Sequence, residues 1–161
     1  MIEVLKIDPP DPTVMEAYVD GSYNKKTKTY GYGCLIMHNG GSEDIIGTGA
    51  NPLKATMRNV AGEIDGAMAA MSKASQTEGV KLLRIYHDYT GISKWCTGEW
   101  KTNKLWTKLY KTYYDKMIQK FKIEFIKVEA HSGDEFNDYA DYLAKKACGL
   151  IKEETEGSHS N

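Results

Sequence analysis

Four acidic side chains stand where the surrounding pattern calls for apolar ones: Asp20, Glu63, Asp88 and Asp141. Asp20 closes the run Ala17-Tyr18-Val19, and Asp88 closes Leu82-Leu83-Arg84-Ile85-Tyr86-His87. Glu63 falls within the stripe Val60, Ile64, Ala67, Met68 and Met71, while Asp141 lies beside the stripe Ala140, Leu143, Ala144 and Ala147. A carboxylate taken out of water is strongly disfavoured unless it is paired or bound to a metal. Two strand ends and two helix faces carrying that penalty point to one shared site for divalent cations, which prefer oxygen ligands. Such a site suits phosphodiester hydrolysis, in which charge develops on the attacking water, the nonbridging oxygens and the leaving 3′-oxygen. The carboxylates therefore point to a metal-dependent nuclease. Taken singly, Asp20 and Asp88 would more often cap turns, and Asp134 and Asp138 compete with Asp141 as helix-start acids. The joint placement with Glu63 outweighs those readings.

Elements that would position these groups can be read along the chain. Alternation and turn signals predict strands at 17–22, 32–38 and 44–49, with a turn at Asn39-Gly40-Gly41, close enough to form an antiparallel meander. Helical spacing predicts a helix over 59–75, then a fourth strand at 82–88. Residues 91–120 read as mainly helical with a break near Gly98, followed by a fifth strand at 123–129 and a helix over 137–148. The order is βββαβαβα, an α/β domain with a five-stranded mixed sheet, because strands reached through helices become parallel by right-handed crossovers. Asp20 and Asp88 then occupy carboxyl ends of strands, where open α/β sheets hold their ligand crevice.

At 161 residues, 41% hydrophobic and 27% charged, the chain has the size and composition of one globular domain. Its net charge of −1 excludes a global basic field but not a local patch. Residues 1–15, with Pro9, Pro10 and Pro12, read as a linker or extended arm; 16–148 form the domain, and 149–161 read as a disordered tail. No apolar run reaches membrane-spanning length, and the start lacks the apolar core of a signal peptide. Three cysteines without CxxC spacing argue against disulfides and zinc, and fit a reducing cytoplasm. Residues 94–127 hold nine lysines against three acids, interleaved with Trp95, Trp100, Trp106, Tyr110, Tyr113 and Tyr114. Most of these aromatics read as core; Lys101, Lys104 and the Trp100 turn read as nucleic-acid contacts. Lys25, Lys26 and Lys28 stand where they could reach phosphates. His87, alternating to the other sheet face from Asp88, reads as a packed residue.

Five pieces in order make the chain resemble type 1 ribonuclease H over roughly residues 16–148. They are Tyr18-Val19-Asp20-Gly21-Ser22, Tyr30-Gly31-Tyr32-Gly33, Asn59-Val60-Ala61-Gly62-Glu63, Ile85-Tyr86-His87-Asp88, and His131-Ser132-Gly133 with Asn137 and Asp141 downstream. The resemblance implies the ribonuclease H-like fold, with helices on both sheet faces. It also implies an endonuclease that cuts RNA paired to DNA and leaves 5′-phosphate and 3′-hydroxyl ends. By position, Asp20, Glu63, Asp88 and Asp141 would hold two Mg²⁺ ions, with Mn²⁺ able to substitute, and His131 would assist proton transfer or product departure. Gly21, Ser22, Arg58, Asn59 and Asn137 fall where the family contacts its hybrid; Asn59 is the best candidate for reading a 2′-hydroxyl, the group that distinguishes RNA.

Departures from the family pattern bear on affinity. The stretch Gly98-Glu99-Trp100-Lys101-Thr102-Asn103-Lys104 is too short for the long basic protrusion of some members. The Asn-Val-Ala-Gly-Glu wording resembles bacterial members with a separate N-terminal hybrid-binding domain, so the chain reads as a monomer whose binding such a domain would supplement. The alternatives are a catalytically weak hybrid-binding module and another nuclease of the same fold, such as a resolvase or integrase.

Overall fold

The computed structural model describes residues 10–129 and 133–151. The elements are β1 (Val14–Asn24), β2 (Thr29–His38), β3 (Gly41–Gly49), α1 (Asn59–Gln76), β4 (Leu82–His87), α2 (Gly91–Thr97), α3 (Leu105–Met117), β5 (Lys122–Lys127) and α4 (Glu135–Ala147), with a 3₁₀ turn at Lys54–Met57. Turn chemistry builds the first three strands. Asn39 and Gly40, both at positive φ, join His38 to Gly41 as a two-residue hairpin whose twist matches that of the strands. Asn24 organises the other connection, accepting from the Lys26 and Thr27 N–H groups while its Nδ2 donates to the Cys148 carbonyl beyond α4.

The sheet order is β3-β2-β1-β4-β5, with β1, β2 and β3 antiparallel and β1, β4 and β5 parallel, the mixed five-stranded sheet expected. One face carries α1, α2 and α3 over a core that includes Val19, Ile64, Met71, Leu83, Ile85 and Tyr110. The other carries α4, where Ala140 packs with Tyr18, Leu35 and Met37. Burying each large apolar side chain contributes about 1.5–3 kcal/mol. Among the described residues, no helix is long and apolar enough to cross a membrane.

The break expected near Gly98 within 91–120 is present: Gly98 at φ 86° terminates α2, and residues 101–103 run as irregular backbone before α3. The expected bounds of the domain are corrected at both ends. The arm is shorter than residues 1–15: Val14 and Met15 belong to β1, Met15 is fully buried, and the Thr13 carbonyl accepts from the Lys81 and Leu82 N–H groups. The prolines masked that strand start. Gly149 and Leu150 likewise close α4 rather than open a tail, with the Leu150 N–H bonding to the Lys145 carbonyl. The arm over 1–9 and the tail over 152–161 lie outside the described residues.

Glycine lets α1 lie directly on the sheet. A Cβ on Gly62 would stand 2.0 Å from the Gly31 carbonyl oxygen, and one on Gly21 would stand 2.3 Å from the Glu63 nitrogen. Backbone meets backbone there, so neither neighbour can yield. Gly62→Ala is expected to lower unfolding free energy by about 2 kcal/mol or more, overriding the helix-propensity gain of alanine. Gly41→Ala, whose Cβ would meet nothing closer than 3.7 Å, serves as the tolerated comparison in urea denaturation. Equal midpoints for the two variants would contradict the close-approach account.

Candidate active site

Pairing between β1 and β4 runs from Val14↔Leu82 to Tyr18↔Tyr86 and then stops. Asp20 and Asp88 each follow that last pair by two residues, on either side of the cleft that opens as the strands part. Helix α1, seated on Gly21, brings Glu63 to the same place. One carboxylate oxygen each from Asp20, Glu63 and Asp88 lies within 4.8 Å of the others. Asp20 is 5% exposed and Glu63 2%, so these two are held away from bulk water, while Asp88 is half-buried at the mouth of the group.

Burial at such spacing makes three negative charges untenable. Burial pushes the Asp20 carboxyl up to about 7, reinforced by the charges of Asp88 and Asp141 and opposed by hydrogen bonds from Glu63 and the Gly21 N–H. Glu63 is held well above the carboxylate range, first by burial and then by the Asp20 charge. Its Oε1 is buried and lacks a hydrogen-bond partner. An all-oxygen donor set with an orphaned buried carboxylate oxygen fits a hard divalent cation, whose binding would displace the protons held here.

The other expected residues fall at graded distances from this core. Asp141 stands outside the three-carboxylate group and pairs with Lys145 at 3.0 Å, although its charge is felt at Asp20. Asn137, one turn earlier on α4, is buried with an unpartnered Oδ1. The neighbouring acid Asp134 is a helix cap, accepting from the Phe136 and Asn137 N–H groups. His131 lies outside the described residues. Gly21 and Ser22 are buried on β1, whereas Arg58 and Asn59 are exposed at the start of α1. Lys101 and Lys104 line a cavity of about 330 Å³ with Tyr89, Trp95, Asn103 and Thr107. Tyr89 and Asn103 were missed in the sequence, although one follows Asp88 directly and the other sits between the two lysines. Trp95 and Tyr110 are buried while Trp100 is exposed, edge-on to Trp95 at 5.8 Å. His87 is buried, its Nδ1 2.9 Å from the Tyr89 carbonyl, as its alternation predicted.

Residues 12–149 match the profile of the RNase H family. The chain is 28% identical over 149 residues to a ribonuclease H of Nitrosospira multiformis, covering 83% of this chain and 88% of that one. It is 26% identical over 157 residues to a ribonuclease H of Hyphomonas neptunium, covering 88% and 97%. The fold is similar to RNase H1 of Halobacterium salinarum (TM-score 0.70, 21% identity, 86% and 99% covered). It is also similar to LC11-RNase H1, solved in complex with an RNA/DNA hybrid (TM-score 0.68, 15% identity, 84% and 97% covered).

The raised carboxyls dictate how metal-free stability depends on pH. Between the ordinary aspartate range, about 4, and about 7, the folded chain holds protons at this site that the unfolded chain has released. The stability linked to them is fully present below the unfolded value and is lost as pH rises through the folded one. In EDTA at pH 8, Asp20→Asn is expected to raise Tm by about 3 °C or more, with the gain shrinking towards pH 4. Differential scanning calorimetry checks this, and a pH-independent difference would contradict it.

Proposed function

This chain belongs to the ribonuclease H family, and from that membership we propose that it hydrolyses the RNA strand of RNA/DNA hybrids by a two-metal-ion mechanism, leaving 5′-phosphate and 3′-hydroxyl ends. The observation that carries the mechanism is the group of buried Asp20 and Glu63 with half-buried Asp88, their ligand oxygens within 4.8 Å of one another at the parting of β1 and β4. These three residues, with Asp141 completing the set, would hold two Mg²⁺ ions, for which Mn²⁺ can substitute. Ions held by these residues would supply activation of the attacking water and stabilisation of charge on the leaving 3′-oxygen.

The chain's own groups supply the rest. The buried carboxylates exclude bulk water, so charge at the site is weakly screened. Asn59, exposed one helical turn before Glu63, accounts for recognition of a 2′-hydroxyl on the strand to be cut. Gly21 and Ser22 let that strand approach β1 beside Asp20, and Asn137 offers its unpartnered Oδ1 near Asp141. His131 takes part in proton transfer or product departure. Lys101 and Lys104, with Asn103 between them, line a concavity suited to the phosphates of the paired strand. The lack of a longer basic protrusion supports a role for a separate N-terminal hybrid-binding domain in affinity, with the catalytic domain acting as a monomer. The free thiols Cys34, Cys96 and Cys148 support a reducing compartment, the cytoplasm.

One labelled RNA strand offered alone, paired with RNA and paired with DNA tests the reading, in Mg²⁺, Mn²⁺ or EDTA. Cutting is expected only in the DNA-paired form and only with metal. Asp20→Asn is expected to abolish cutting while leaving hybrid binding nearly intact. Cutting of all three forms would overturn the substrate assignment, and full activity in EDTA would overturn the metal site.

Lys101→Gln combined with Lys104→Gln is expected to lower the slope of log kcat/KM against log salt concentration by about 2, one for each phosphate no longer neutralised. An unchanged slope would assign both lysines to solvent.

A further inference from the structure

The described sheet ends on one side with β3, which pairs with β2 alone. That pairing runs unbroken from His38↔Gly41 to Tyr30↔Gly49, so no bulge twists this edge away. The strand Gly41–Gly49 contains no proline and no cation, and Ile46 at its middle is 45% exposed. The opposite edge, β5, is six residues long with Lys122 and Lys127 at its ends, a common guard against further pairing. In a two-residue hairpin the pair closing the turn exchanges its backbone bonds, so alternate residues from Gly41 bond to β2. The N–H and C=O groups of Ser42, Asp44 and Ile46 therefore point outward, and they have no partner among the described residues. Beside this edge a groove of about 630 Å³ runs between β3 and α1, lined by Glu43, Ile45, Ala69, Ser72 and Gln76.

The segment before β1 arrives at the same corner. Traced back from Val14, the backbone crosses the end of β2, where the Pro12 carbonyl lies 2.8 Å from His38 Nε2. It then reaches the β2–β3 turn: a Cβ on Gly40 would stand 3.8 Å from Pro10 Cγ. Pro10 thus stands at the Gly41 end of the free edge, the point from which an added strand would run antiparallel to β3. The sequence ahead of it is Ile2-Glu3-Val4-Leu5-Lys6-Ile7, four apolar residues in six, with Pro9 and Pro10 following Asp8. Isoleucine and valine favour strands, and prolines cannot donate to a ladder, so a strand would end before Pro9. Six extended residues span about 20 Å, which matches Ser42 to Gly47 along the edge.

We infer that residues 2–7 add to the five-stranded sheet as a further strand, antiparallel to β3. Starting the ladder with Asp8 opposite Gly41 sets the register. Ile7, Leu5 and Glu3 exchange backbone bonds with Ser42, Asp44 and Ile46, the three outward-pointing residues. Val4 then stands opposite Ile45 and Lys6 opposite Glu43, on the face where Ile45 packs into the α1 core and Glu43 pairs with Lys73 at 2.9 Å. Val4 enters the groove against Ala69, and Lys6 brings a second cation to the Glu43 carboxylate. On the other face Leu5 lies diagonal to Ile46 and covers its exposed side chain. The arm therefore occupies the edge that a second copy would use for strand pairing. The inference stands apart from the hybrid-cutting reading, since it concerns the edge of the sheet and not the carboxylates.

Amide hydrogen exchange of the full chain, followed residue by residue by NMR, tests this. The comparison is with Leu5→Pro, which removes a ladder donor and breaks the added strand. In wild type the Ser42, Asp44 and Ile46 amides are expected to exchange about tenfold or more slowly relative to the variant. The Glu43, Ile45 and Gly47 amides, bonded to β2, keep their protection in both proteins and report that the domain stays folded. An NOE between the α-protons of Val4 and Ile45 is expected in wild type, because a pair of this kind holds its Cα atoms about 4.5 Å apart. Equal exchange of the three outward amides in the two proteins, or no contact between those α-protons, would overturn the inference. Protection that rises with protein concentration would overturn it as well, by assigning the edge to a second copy.

Discussion

Placing like charges together out of water is the constraint on which the rest of this fold turns. Asp20, Glu63 and Asp88 come from β1, α1 and the end of β4, and no local feature draws them together. Left alone they repel one another, and the two buried ones, Asp20 and Glu63, hold protons above the ordinary carboxylate range. The hydrophobic packing of α1 through Ile64, Ala67, Ala70 and Met71 forces Glu63 into that position. Stability is given up at one point of the sheet and recovered over the rest of the helix, the usual trade at a functional site.

Backbone contact is what makes the convergence possible. With any side chain at Gly21 or Gly62, α1 and the sheet would move apart, and Glu63 would withdraw from Asp20. Position along the sheet matters equally. Were β1 and β4 paired two residues further, ladder hydrogen bonds would close the cleft; instead the pairing ends at Tyr18 and Tyr86, whose rings stack at 4.2 Å just before it opens. Order on one side of that boundary and divergence on the other form the crevice typical of parallel strand ends.

Much of this was legible in the residues because burial and charge conflict there. Asp20, Glu63 and Asp88 announced themselves as acids in apolar frames, and the Asn39-Gly40 turn and the stripe of α1 follow from local rules. What escaped depended on contacts distant in sequence or on backbone conformation. Met15 is buried because Thr13 hydrogen-bonds to Lys81 and Leu82, residues that proline-based reasoning over 1–15 does not consult. Asp141 and Lys145 read as neighbours on a helix, yet only packing decides that their pairing leaves Asp141 beyond the three-carboxylate group.

A net charge of −1 conceals a steep local arrangement that a polyanionic substrate would require. The carboxylates repel a phosphate chain at the point where it must come closest, so attraction has to come from the flanks. Basic groups placed only on one side would draw the duplex past the acids rather than onto them. The segment 55–60 meets this demand by facing two ways, Met57 and Val60 towards Lys101 and Lys104, Arg58 and Thr56 towards Lys28. Val60 and Glu63 both lie on α1, so one wall of the groove holding Lys101 and Lys104 and the acidic centre ride on the same helix. Shifting α1 along the sheet would therefore move that wall and the central carboxylate together, which ties the close packing at Gly62 to the geometry of the site as well as to stability.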